Sequence, residues 1–78
     1  AGMTSCTYFL RKSMDVTAEL YDITGKTIAV MVNNQKQEEG VHSLDIDGAE
    51  LGLVPGVYYI KFTFDKKEVV QKIVKIQS

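Results

Sequence analysis

The stretch Gly56-Val57-Tyr58-Tyr59-Ile60-Lys61-Phe62-Thr63-Phe64, followed after Asp65-Lys66-Lys67 by Glu68-Val69-Val70-Gln71-Lys72-Ile73-Val74-Lys75-Ile76, decides how the chain is read. β-Branched and aromatic side chains fit a pleated surface, and Pro55-Gly56 is a turn signal at its entrance. Two such runs joined by a short charged break predict a terminal β-hairpin. In its first strand, alternation puts Tyr58, Ile60, Phe62 and Phe64 on one face and Val57, Tyr59, Lys61 and Thr63 on the other. The apolar set is expected to face a core.

Working outward, the same period recurs. Val16-Thr17-Ala18-Glu19-Leu20-Tyr21 alternates cleanly, with Val16, Ala18 and Leu20 expected inward and Thr17, Glu19 and Tyr21 toward solvent. Asp22-Ile23-Thr24-Gly25-Lys26 then reads as a tight turn, because Asp bonds its own downstream backbone and Gly accepts a positive φ. A return strand over Thr27-Ile28-Ala29-Val30-Met31-Val32 should line Ile28, Val30 and Val32 on one face. Asn33 to Gly40 contains no apolar residue and is expected to be a surface loop.

Earlier in the chain, Cys6-Thr7-Tyr8-Phe9-Leu10 predicts a strand with Cys6, Tyr8 and Leu10 inward, followed by a polar turn. Val41-His42-Ser43-Leu44-Asp45-Ile46-Asp47 predicts another, with His42, Leu44 and Ile46 sharing a face. The irregular stretch 48–56 should close one end of the core with Leu51, joined by Leu53 or Val54. The result is six strands and no helix, an antiparallel all-β sandwich, since a lone sheet would leave one apolar face wet.

Composition narrows the function classes. With 78 residues the chain is one small domain, and 45% hydrophobic and 24% charged content is that of a folded protein. Mixed charge and a net charge of −1 give no basic stripe for nucleic acid and no polybasic membrane anchor. No apolar run reaches the ~20 residues of a membrane-spanning helix. The start lacks the layout of a signal peptide, so the chain is read as cytoplasmic or as a fragment whose leader lies elsewhere. Ala1-Gly2-Met3-Thr4 is expected to be a remnant foreign to the domain, leaving residues 5–78 as a single β-sandwich domain.

Candidate chemistry is sparse. Cys6 and His42 are the single cysteine and histidine, so a nucleophile–base pair would have to use both. A small buried thiol and a core-edge imidazole are the preferred reading, and one of each is too few ligands for zinc. Asp45-Ile46-Asp47-Gly48-Ala49-Glu50 has part of a calcium-loop pattern but lacks its later ligands, so strand-end carboxylates are expected. Lys61, Lys66, Lys67, Lys72 and Lys75 cluster in the terminal hairpin. Protection of an edge strand explains them on physical grounds alone, with a recognition surface as the functional alternative.

Four segments read together say more. Val16 to Lys26, then Gly40-Val41-His42, then Leu51 with Pro55-Gly56-Val57-Tyr58-Tyr59, and finally Gln71-Lys72-Ile73-Val74-Lys75 resemble the C-terminal sorting domain of type IX secretion in Bacteroidetes, from about Thr7 onward. The resemblance implies an immunoglobulin-like β-sandwich of six to seven strands. It further implies a non-enzymatic signal with no cofactor, metal, nucleic-acid or small-molecule partner, monomeric and exported through the periplasm to the cell surface or beyond. Its implied partners are the outer-membrane secretion machinery and a sortase-like peptidase. By motif, the recognition positions carried over are Gly40, Gly56, Val57, Tyr58, Lys72 and Lys75.

Two departures stand out. The Pro-Asn-Pro stretch common at the family's start is absent, and Leu51-Gly52-Leu53-Val54-Pro55 is a residue or two longer than usual. That longer segment is similar to the immunoglobulin-like module of hook-capping proteins, which makes a structural or adhesive module the second reading. Those modules tend to carry a Trp-Asp-Gly where this chain has Ile46-Asp47-Gly48.

Overall fold

The computed structural model describes residues 3–76 and contains six strands: β1 Met3–Leu10, β2 Met14–Asp22, β3 Thr27–Gln37, β4 Gly40–Asp47, β5 Gly56–Phe64 and β6 Lys67–Lys75. They form two antiparallel sheets, one of two strands in the order β1-β4 and one of four in the order β3-β2-β5-β6. The all-β antiparallel sandwich expected from the alternation is the observed fold.

The core lies where the alternating sets converge. Val16, Ala18 and Leu20 on β2 and Ile60 on β5 are fully buried, and Cys6, Leu10 and Ile46 from the small sheet close over them. Register explains why β2 and β5 form the middle. Ala18 lies opposite Phe62 and Leu20 opposite Ile60, so two inward rows run side by side across the sheet. Tyr8 of β1 reaches across the layer gap, its ring centroid 5.0 Å from Phe62 and 5.6 Å from Phe64. Leu51 and Leu53 pack against this core, whereas Val54 is exposed, so Leu53 is the companion of Leu51. Leu53 N–H donates to the Gly48 carbonyl at 2.8 Å and Leu51 N–H to that of Asp47 at 3.1 Å, which folds the 48–55 segment down onto the open end.

β3 departs from the expectation twice. Val30 does not share a face with Val32; it lies opposite the outward Glu19 and is half exposed. The cause is a succession of register shifts, with Val32 opposite Ala18, Val30 opposite Glu19, Ala29 opposite Leu20 and Thr27 opposite Tyr21. Each extra residue reverses the alternation, and Met31 turns toward the core. Nor is the polar stretch after Val32 a loop. β3 continues to Gln37, pairing Gln35, Lys36 and Gln37 with Val16, Asp15 and Met14. A ladder is made by backbone groups, so an edge strand needs no apolar side chains once a partner is in register. Asn34, at φ +46, makes the irregular step, and its N–H donates to Thr17 Oγ1 at 3.1 Å.

The β2–β3 turn forms as its residues require. Asp22 Oδ1 accepts hydrogen bonds from Thr24 N at 2.9 Å, Thr24 Oγ1 at 2.6 Å and Lys26 N at 3.0 Å. Gly25 sits at φ +90, a conformation that costs any residue with a Cβ.

Candidate recognition surface

The terminal hairpin is held at both ends by local chemistry. At its entrance the buried Tyr58 donates its hydroxyl hydrogen to the Val54 carbonyl at 2.6 Å, tying the incoming segment to β5. At its turn, Asp65 takes φ +55, which Asp tolerates better than most residues. Asp65 N–H donates to the Asp15 carbonyl at 2.9 Å, and Asp15 N–H donates to Asp65 Oδ1 at 3.0 Å. This reciprocal pair fastens the hairpin tip to the start of β2.

Between those anchors β5 and β6 run in unbroken register from Gly56 opposite Lys75 to Phe64 opposite Lys67. Partners across a ladder share a face. Lys67, Val69, Gln71, Ile73 and Lys75 therefore lie on the side of Phe64, Phe62, Ile60 and Tyr58, the inner side. Glu68, Val70, Lys72 and Val74 lie outside with Thr63, Lys61, Tyr59 and Val57. The two lysines marked by sequence thus sit on opposite faces.

On the outer face, Tyr21, Tyr59 and Lys72 form one row across β2, β5 and β6. Val70 and Val74 flank Lys72 and are both exposed. Lys61, one position along β5 from that row, has Nζ 5.3 Å from the Tyr21 ring centroid and 3.8 Å from Glu68 Oε2. Its ammonium is held above the ordinary lysine value, first by the Tyr21 hydroxyl and then by the Glu68 carboxylate. Lys61 is therefore engaged within the sheet, while Lys72 is exposed on the strand beyond it.

Gly56, Val57, Tyr58, Lys72 and Lys75 come together in this hairpin. Gly40 does not join them. It opens β4 opposite Leu10, three residues after Gln37, whose partner Met14 starts β2; Gly56 lies at the other end, where Tyr58 faces Asp22 at the finish of β2. At φ +128, Gly40 shapes the crossing from one sheet to the other, away from the hairpin entrance. Tyr21 and Tyr59 were placed toward solvent by alternation. Their alignment with Lys72 depends on cross-strand register, which no local pattern carries.

The remaining candidates have structural occupations. Cys6 is buried, and burial pushes its thiol above the usual range, away from the reactive thiolate. His42 stacks on Tyr8 at a centroid distance of 5.6 Å and its Nε2–H donates to the Glu38 carbonyl at 2.6 Å. Asp45 Oδ1 accepts from Ser5 Oγ at 2.6 Å, and Asp47 Oδ1 accepts from Ala49 N at 3.1 Å and Glu50 N at 3.3 Å. Those carboxylates join two strands and start a turn. Among the described residues, no group of three or more His, Cys, Asp and Glu side chains is placed to hold a metal ion.

Charge is divided along the chain. Residues 56–78 carry five lysines against Asp65 and Glu68, whereas residues 1–55 carry four basic and eight acidic side chains. The hairpin is thus a basic edge on an otherwise acidic domain. Comparison with curated proteins and with solved structures gave no match. The model of the secretion system C-terminal sorting domain matches residues 4–77, and the chain belongs to that family, the C-terminal sorting domain of type IX secretion.

Proposed function

We propose that this domain is a folded, non-enzymatic export address, read along the β5–β6 hairpin by the outer-membrane machinery of type IX secretion. Membership of the sorting-domain family supports the general role. The observation that carries the finer reading is the regular, lysine-bearing β6 at the edge of the four-stranded sheet. In this reading Lys72 and its neighbour Tyr59 meet the receptor on the outer face. Lys75, opposite Gly56, extends the basic contact along the inner edge. Val57 and Tyr58 hold β5 in place beneath β6, and Gly40 preserves the fold from the far end.

The domain crosses the periplasm as a folded monomer, brings its cargo to the cell surface or beyond, and is then removed by a sortase-like peptidase. Fusing residues 1–78 to a reporter in a type IX-competent bacterium tests this. Lys72→Ala should reduce export while leaving thermal stability at the wild-type value, because an exposed lysine contributes little to folding. Export and stability both at wild-type level would reduce Lys72 to a surface charge. Unchanged export after removal of residues 68–78 would overturn the hairpin as the address and favour a structural or adhesive module.

A further inference from the structure

The two sheets differ in width, and the difference opens one side of the sandwich. Among the described residues, β1 pairs only with β4 and β6 only with β5, so each has a free edge there. At the Leu10 end these elements border a common cleft of about 270 Å³ lined by Phe9, Leu10, Met14, Phe64, Lys67 and Val69. Its walls are apolar apart from Arg11 and Lys67, and Phe9 is 64% exposed and Val69 43%. A free strand edge offers unpaired backbone N–H and C=O groups at alternate residues, and an extended segment laid along it satisfies them.

The charges around the cleft select among possible strands. Arg11 lines it together with Lys67, and Lys12 and Lys66 adjoin them in the sequence. Of the acids beside these residues, Asp65 Oδ1 accepts from Asp15 N and Glu68 turns to Lys61 on the outer face. A second copy presenting this same side would bring like charges together.

The geometry points to strand addition at β1: an extended peptide segment with apolar residues at alternate positions and carboxylates between them pairs with the free edge of β1. Its apolar side chains enter the cleft over Val69 and Phe64, and the carboxylates on its opposite face meet Arg11. This widens the small sheet toward β6 and covers apolar surface now in water, with backbone pairing supplying affinity and the cleft supplying specificity. The surface is separate from the outer row of Tyr21, Tyr59 and Lys72.

The 78-residue chain, isotope-labelled and observed by NMR, is titrated with a blocked eight-residue peptide of alternating valine and glutamate. An alternating valine–lysine peptide serves as the control. The valine–glutamate peptide should slow amide exchange along β1 and shift Leu10, Met14 and Val69. Arg11→Glu with Lys67→Glu should weaken binding by at least about tenfold without changing the thermal midpoint. Equal binding of the two peptides, shifts confined to the outer face of β5 and β6, or a dimer by sedimentation with β1 amides protected in the absence of peptide would each overturn the proposal.

Discussion

β3 and β6 are the two edges of the same four-stranded sheet, and they are built on different plans. β3 spans 11 residues, slips register repeatedly against β2, and ends in a polar run that includes Asn33, Asn34 and Gln35. β6 spans nine residues in unbroken register with β5, and exposes Val69, Val70 and Val74 between its lysines. A bulged edge is twisted and poorly matched to a flat incoming strand, whereas a regular one remains a template restrained only by charge. The contrast shows how a small sandwich can keep one edge of a sheet regular while disrupting the other.

The largest test of that contrast is in the core beneath each edge. Phe62 lies opposite Val69 of β6 and against Tyr8, so Phe62→Ala should destabilise the domain by about 4 kcal/mol and loosen β6 first. Val32→Ala, under the β3 edge, removes less volume and should cost less. Denaturant unfolding with amide exchange compares the two; equal loosening of both edges would erase the distinction between them.

A smaller effect concerns association. Lys72→Val joins Val70 and Val74 into a continuous apolar row on a regular edge and should promote self-association, visible by light scattering. Lys36→Val on the bulged β3 should not. Similar association of both variants would mean that bulges give no protection here.

The smallest effect is acid sensitivity at the β3 side. Asp22 is held below the ordinary carboxylate value, first by its hydrogen bond from the Thr24 hydroxyl. With the folded value depressed, its stabilisation is complete above the unfolded value near 3.8 and is lost as pH falls through the lower folded value. Amide signals of Thr24 and Lys26 should therefore hold steady as pH falls to about 4 and change only below it, and Asp22→Asn should remove that late step. A change at Thr24 and Lys26 already complete above about pH 4 would contradict the depressed value.

Much of this molecule was legible in local pattern. The inward sets Val16-Ala18-Leu20, Cys6-Tyr8-Leu10 and Tyr58-Ile60-Phe62 needed only the two-residue period of a strand and the preference of apolar side chains for the interior. So did the turn at Asp22 and Gly25, whose chemistry lies within five residues. The sorting-domain resemblance was carried by the same kind of signal: short motifs in order along the chain.

Tertiary structure decided what depends on a distant partner. Bulges in β3 are defined only against β2, so alternation extrapolated across Val30 put it on the wrong face. The polar run 33–37 lacked any signal of its own, because its ladder bonds come from backbone that every residue possesses. The spacing of Lys72 and Lys75 puts them on opposite sides of any continuous strand. Which of the two shares the outer face with Tyr59 was decided by register with β5, and the open cleft beside β1 by two sheets of unequal width. A one-dimensional pattern records which side chains avoid water; pairing, register and layer overlap arise from contacts between residues far apart in the chain.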